Sequence, residues 1–242
     1  MKRQIVEVKN VLRTLDMFAN LQSRSDITPG IGLIHGPSGF GKTSTVTHMV
    51  NQLTNMGSVP AFVRCCATDT PSSFLARVTK ELGSDPIYPL RKSLDYIIET
   101  MNEQQIALFV DEADHIVGQS KTMETIRDIY DATELPVLLV GMEEIARRIS
   151  HRKQLFNRIS EWVEFLPADN EDVSMFASEL MEVDVKVGED MLDYIRVRSG
   201  GEVRRTLIAL DKIERFAISN DLDFVDRAVW GDGQLFLNNS RR

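Results

Sequence analysis

Apolar positions along the first two thirds of this chain switch repeatedly between helical and strand spacing. Val8, Val11, Leu12 and Leu15 recur at helical intervals, continued loosely by Met17, Phe18 and Leu21, up to the polar turn Ser23-Arg24-Ser25-Asp26. Ile31 to His35 is then a short apolar run of strand length, and Val46, Met49, Val50 and Leu53 return to helical spacing. Val59 to Cys66 reads as a second strand. Thr70 with Pro71 opens a helix with Phe74, Val78 and Leu82 on its inner face, ending at Gly83. Leu90, Leu94, Ile97, Ile98 and Met101 define a further amphipathic helix. Ile106 to Val110 is continuously apolar, the pattern of a parallel strand buried on both faces. A helix capped by Ser120 follows, with Met123, Ile126 and Tyr130. Then come a strand over 136–140, a short helix with Ile145 and Ile149, and a fifth strand over 162–166. Strands alternating with helices predict an α/β fold with a mostly parallel, doubly wound sheet.

From residue 169 the strand spacing stops, and only helical patterns follow: Val173, Phe176, Ala177 and Leu180; a segment opened by Gly188; Val203, Leu207, Leu210 and Ala217; and Phe224, Val225, Ala228 and Val229. The expected division is therefore an α/β domain over 1–168, a small all-helical lid over 169–230, and a loose polar tail over 231–242.

The first strand and the helix after it are joined by Gly36-Pro37-Ser38-Gly39-Phe40-Gly41-Lys42-Thr43, followed by Ser44. The spacing G-x-x-x-x-G-K-T in a strand–loop–helix context is that of a phosphate-binding loop. Its glycines let consecutive backbone N–H groups curl toward phosphate oxygens, and the positive end of the following helix adds to the attraction. Lys42 is placed to reach the β- and γ-phosphates, and the Thr43 hydroxyl to ligate Mg²⁺. At the C-terminal end of the third strand, where ligands of open α/β sheets bind, stand Asp111 and Glu112. One carboxylate there can hold the Mg²⁺ shell, mostly through water, while the next orients and deprotonates an attacking water. Nothing in the spacing of His115 suggests a metal site. The expected cofactors are ATP and Mg²⁺.

Composition narrows the setting. The 242 residues are 43% hydrophobic and 26% charged, ordinary for a globular chain. No apolar run approaches the roughly 20 residues needed to span a membrane. The N-terminal segment lacks the apolar stretch of a secretory signal. The two cysteines, Cys65 and Cys66, are sequence neighbours that point to opposite faces of a strand, so they do not suit a structural disulfide. These features predict a cytoplasmic protein. The formal net charge of −8 argues against a generally basic nucleic-acid binder and leaves room only for a local basic strip.

Gly36 to Thr43 resembles a Walker A motif and Leu108 to Glu112 a Walker B motif, at a distance similar to that in AAA+ ATPases. Several further segments resemble parts of that family. Ser199-Gly200-Gly201-Glu202-Val203-Arg204-Arg205 is similar to the start of the sensor-2 helix, which implies that Arg204 touches the γ-phosphate from the lid. Leu155-Phe156-Asn157-Arg158-Ile159 resembles the segment carrying the arginine finger, which makes Arg158 the residue that enters a neighbour's site, with Arg148 and Arg152 as alternatives. One position departs from the family: the fourth strand runs into Gly141-Met142-Glu143, where a polar sensor-1 residue is usual. Met142 makes a poor hydrogen-bonding group, so either Glu143 or Glu144 substitutes or hydrolysis is slow.

Within AAA+ the chain most resembles the DNA-transposition ATPases typified by phage Mu transposition protein B, on the compact size, the run Asp111-Glu112-Ala113-Asp114-His115, the Leu139-Val140-Gly141 step and the short lid. That resemblance implies a homo-oligomer, a ring or helical filament, that assembles with ATP on duplex DNA and acts with a transposase. A replication initiator or helicase loader is the alternative with the same nucleotide motifs. A lone kinase or GTPase is disfavoured: the guanine-reading Asn-Lys-x-Asp motif is missing from the sequence, and the arginine-finger and sensor-2 candidates imply a site shared between subunits. The candidate DNA contacts are Arg91, Lys92, Lys121, Arg152 and Lys153, with Arg147 and Arg148 beside them.

Overall fold

The computed structural model describes residues 1–236. In chain order the elements are α1 (Lys9–Ser23), β1 (Ile31–His35), α2 (Lys42–Asn55), β2 (Ala61–Arg64), α3 (Pro71–Glu81), α4 (Leu90–Gln104), β3 (Leu108–Asp111), α5 (Asp114–Val117), α6 (Ser120–Thr133), β4 (Val137–Val140), α7 (Ile145–Ser150), α8 (Lys153–Phe156) and β5 (Ile159–Glu164). They are followed by α9 (Asn170–Leu180), β6 (Lys186–Val187), α10 (Glu189–Ser199), α11 (Val203–Ser219), β7 (Phe224–Val225) and α12 (Arg227–Trp230). The chain packs as two compact units. One comprises Leu12–Pro37 and Lys42–Phe165; the other comprises, among the described residues, Met1–Val11, Ser38–Gly41 and 166–236.

The first unit holds a five-stranded parallel sheet in the order β2-β3-β4-β1-β5. The central strands β3 and β4 are buried along their whole length, as their unbroken apolar sequences require. Phe109 is fully buried and its ring lies 5.3 Å from that of Phe18 on α1. Covering a side chain of this size contributes roughly 1.5–3 kcal/mol. Helix α3 starts as expected. Thr70 caps it with a reciprocal pair of bonds to Ser73, and Pro71 occupies the first turn, where its missing N–H costs nothing.

Three local expectations shift. The second strand is shorter than its apolar run, because β2 lies at the sheet edge and Pro60 has no N–H to give to a ladder. The fifth strand begins at Ile159 rather than Trp162: β5 is the other edge, and its half-exposed residues Ser160 and Glu161 lack an apolar signature. Ser120 is the first residue of α6 rather than its cap, and its hydroxyl instead accepts a bond from Arg152 Nη1 at 3.0 Å.

The second unit is mainly helical, but it is not all helix. Lys186–Val187 pair in parallel with Phe224–Val225. Phe224 and Val225 were expected inside a helix. That helix starts later because Asp226 caps it, accepting the Val229 N–H at 2.7 Å. The N-terminal residues belong to this unit. The Lys2 N–H bonds Leu180 O at 2.6 Å, and the terminal amine pairs with the buried Glu214 carboxylate at 2.7 Å. The expected loose tail is pinned over 231–236: Leu235 is buried, its carbonyl accepts Lys212 Nζ at 2.8 Å, and Gly233 O accepts Trp230 Nε1 at 2.7 Å. A run of only three apolar residues, Leu235 to Leu237, gave no periodic signal for this. Residues 237–242 lie outside the described ones.

Candidate functional site

The loop between β1 and α2 has the backbone that its glycines permit. Gly36, Gly39 and Gly41 take φ of 145°, 80° and 94°, values that side chains oppose. At Gly36 a Cβ would also meet Phe165 O at 2.9 Å. Lys42 is buried, and its ammonium donates to Gly36 O and Pro37 O, both at 2.7 Å, folding the side chain back along its own loop. Burial lowers its pKa, opposed by the nearby charges of Asp114, Asp111 and Glu143.

At the end of β3, the buried Asp111 uses both carboxylate oxygens. Oδ2 accepts the Thr43 hydroxyl at 3.0 Å and Oδ1 accepts the Glu112 N–H at 2.9 Å. Burial pushes its carboxyl above the usual range, partly offset by these two bonds. The expected metal pair Thr43 and Asp111 is therefore in contact. Glu112 stands at φ 54°, in the left-handed region that a non-glycine residue rarely occupies. Its carboxylate pairs with Arg64 at the end of β2 and lies 3.1 Å from His115 Nε2. The Arg64 guanidinium is the main reason that its pKa lies below the ordinary carboxylate value. Arg64 in turn is held from behind: Arg77 donates to its carbonyl and pairs with the buried Asp69 at 2.6 Å.

The donor set suits a nucleoside triphosphate with Mg²⁺. Three left-handed glycines shape a loop for phosphate oxygens, and a lysine follows them. A hydroxyl and a carboxylate already in contact at 3.0 Å offer hard oxygen ligands, to which a magnesium ion adds water and phosphate.

A family model described as "AAA domain" matches residues 24–149, more than half of the chain, from the turn before β1 through α7. The chain belongs to the AAA family. No curated protein sequence matches this AAA domain. Solved structures do. The Aeropyrum pernix ORC2 protein, in its ADPNP–ADP complexes, superposes with a TM-score of 0.69 at 14% identity, covering 94% of this chain and 67% of the other. The Aeropyrum pernix ORC1 protein in complex with DNA gives 0.64 at 14%, covering 92% and 63%. Domain III of the Thermotoga maritima replication initiation protein DnaA gives 0.59 at 16%, covering 93% and 91%. At these identities the likeness establishes the AAA+ fold, and the AAA domain spans about two thirds of the archaeal chains it matches.

The remaining expected residues fall in separate places. Arg158 precedes β5, and its carbonyl accepts the Ile31 N–H at 3.1 Å at the start of β1. With β1 and β5 parallel, Arg158 lies at the opposite end of the sheet from Gly36, about 16 Å away along the strand. Its guanidinium makes two bonds to Asp131, at 2.8 and 2.9 Å, in the wall of a cavity of about 1000 Å³. In the helical unit, the Arg204 N–H donates to Gly39 O at 3.0 Å while its side chain is exposed. Glu202, two residues earlier, presses on Gly39 where a Cβ would be.

Among the basic candidates, Arg91 is paired with Asp95 at 2.9 Å and Arg147 with Glu144. Arg148 donates to Asp114 O at 3.2 Å. Arg152 is held by neutral acceptors, Val117 O at 2.7 Å and Ser120 Oγ at 3.0 Å. It lines a cavity of about 390 Å³ with Lys153, Arg127, His151 and a single acid, Glu124. Lys92 and Lys121 are exposed in the first turns of α4 and α6. Sequence reasoning missed Arg64 and Glu202, and it noted Asp114 without giving it a role. Arg64 had a usable signal, since it is a charged residue at the C-terminal end of a strand, where ligand sites of such sheets lie.

Proposed function

We propose that this AAA domain is an ATP-switched ATPase that assembles with copies of itself on duplex DNA. The contact of Thr43 with Asp111, beside the activating candidate Glu112, supports the ATPase part of this reading best. In this proposal Gly36 to Ser44 hold the triphosphate, Thr43 and Asp111 the Mg²⁺ ion, and Glu112 the attacking water, with Arg204 as the sensor-2 candidate for the γ-phosphate. The place of Arg158, at the far end of the sheet from its own loop, favours action on a neighbouring subunit. DNA contact falls to Arg152, Lys153 and Lys121, with Arg91 and Lys92 as a second strip. A filament repeating a few such contacts binds phosphates strongly even when each chain is acidic overall.

Two biological settings suit this activity. The motif resemblance to the Mu transposition protein B family favours target selection for a transposase. The structural likeness to ORC and DnaA proteins favours the second setting, replication initiation or helicase loading. The test is fluorescence anisotropy of a labelled duplex with ATP, ADP or no nucleotide across a salt series. Tight binding with ATP only, falling steeply with salt and indifferent to scrambling the sequence, is expected. Equal binding in all three conditions removes the switch, and no binding at low salt with ATP removes the DNA role. Pull-down of transposase or of replicative helicase by the ATP-bound filament then separates the two settings.

A further inference from the structure

The end of β4 lies beside the end of β3 and carries no polar side chain of its own, only Gly141 and Met142. The space is nevertheless occupied by a polar group. Asp114 Oδ2 accepts the Met142 N–H at 2.6 Å, and a Cβ placed on Gly141 would lie 2.6 Å from the same oxygen. Glycine and carboxylate therefore fit together at this point, and a larger residue at 141 presses on both the acid and the Ile145 side chain, which a Cβ would meet at 2.4 Å. The backbone of Asp114 is fixed as well, by Arg148 Nη1 on its carbonyl at 3.2 Å. Of the acids around Lys42, Asp114 acts most strongly on the ammonium, ahead of Asp111 and Glu143. Asp111 is committed to Thr43 and to the Glu112 N–H, whereas Asp114 Oδ1 makes no hydrogen bond among the described residues.

We propose that Asp114 is a positioning and specificity-determining residue of the nucleotide site, standing in for the polar side chain that β4 lacks. An ionised carboxylate only accepts hydrogen bonds. It can hold a water beside Glu112, which donates to it, but it cannot donate to a phosphate oxygen. Its charge also acts on the lysine that the γ-phosphate engages, so it disfavours the extra charge of a triphosphate over a diphosphate. Asp114 thus couples the end of β3 to the loop after β4, helps to place the water, and narrows the preference for ATP over ADP. This rests on nucleotide binding at the loop around Lys42.

The test is competitive titration of a fluorescent nucleotide by ATPγS and by ADP, with EDTA and again with Mg²⁺, on the wild type, Asp114→Asn and Asp114→Ser. Both variants keep an oxygen for the Met142 N–H and lose the charge. In EDTA the affinity for ATPγS should rise about three- to tenfold and that for ADP should stay within about twofold, as expected for one screened charge removed near the γ position. Turnover should fall, while melting temperature stays close to wild type. Should one variant melt below the assay temperature, the other supplies the measurement. An unchanged ATPγS-to-ADP ratio, or an equal shift for both ligands, assigns Asp114 to loop structure alone and overturns the proposal. A wild type that binds neither nucleotide overturns the nucleotide site itself.

Discussion

Replacing Arg64 by Ala removes the ion pair that holds Glu112 and should separate stability from chemistry. Arg64 is 61% exposed and Glu112 38%, so water and salt screen the pair. Exposed pairs contribute at most about 1 kcal/mol, and about 0.5 kcal/mol is the expected loss here. For a chain of this length that lowers the melting temperature by about 1–2 °C. The pH dependence follows from the direction of the shift. The Glu112 pKa lies below its ordinary 4.5 in the folded protein, so the pair stabilises above that pH. Its contribution is lost as pH falls through the folded value, and wild type and variant should melt alike once the carboxylate is protonated. The effect on chemistry has the opposite sign. Arg64 weakens Glu112 as a base and turns it toward β2, so its removal should raise basal ATP hydrolysis about three- to tenfold near pH 7. Melting curves at several pH values and a phosphate-release assay read the two effects on one preparation. A variant that binds ATP normally but hydrolyses it no faster than wild type would show that Arg64 does not restrain Glu112. A melting loss many times larger would make Arg64 a structural residue.

Lys42→Ala should abolish ATP binding in a fluorescent-nucleotide titration, because it removes the fixed positive charge from the phosphate loop; retained affinity would exclude this loop as the site. Arg158→Ala should leave single chains able to bind ATP but weaken assembly and hydrolysis together. Mixing it with Lys42→Ala protein should restore part of the activity, and no rescue at any ratio would move the finger to Arg148 or Arg152. In a thiol-reagent titration of the native protein one fast-reacting cysteine is expected, since Cys66 is exposed whereas Cys65 is buried with its thiol pushed up to about 12. Two fast thiols would mean that the end of β2 opens in solution.

The fold was legible because its strands are buried on both faces. Continuous apolar runs such as Leu108–Val110 and Val137–Val140 have no other stable place than the middle of a parallel sheet. Legibility failed where burial is one-sided or short. The start of β5 at Ile159 and the two-residue pairing of β6 with β7 lie at edges, where polar residues interrupt the period. The phosphate loop and the acid pair were legible for a different reason: their chemistry requires particular residues at fixed spacing within one stretch of chain. Arg64, Asp114 and Glu202 were not, because each acts on a residue brought near by folding. Arg64 meets Glu112 only because β2 lies beside β3, and Asp114 gains its importance from the glycine at 141 on the neighbouring strand.

The left-handed backbone at Glu112 means that the protein is held away from its most stable sequence. A non-glycine residue at φ 54° costs roughly 1–2 kcal/mol relative to its relaxed conformation, a penalty that glycine avoids. A population of variants selected only for resistance to heat should therefore drift toward Gly, or Asn, at position 112, and should become inactive by gaining stability. Thermal enrichment of a library, a common first step in protein engineering, would discard the proposed activating acid while every fold-level measurement improved. For this protein, resistance to heat and competence in hydrolysis have to be screened side by side.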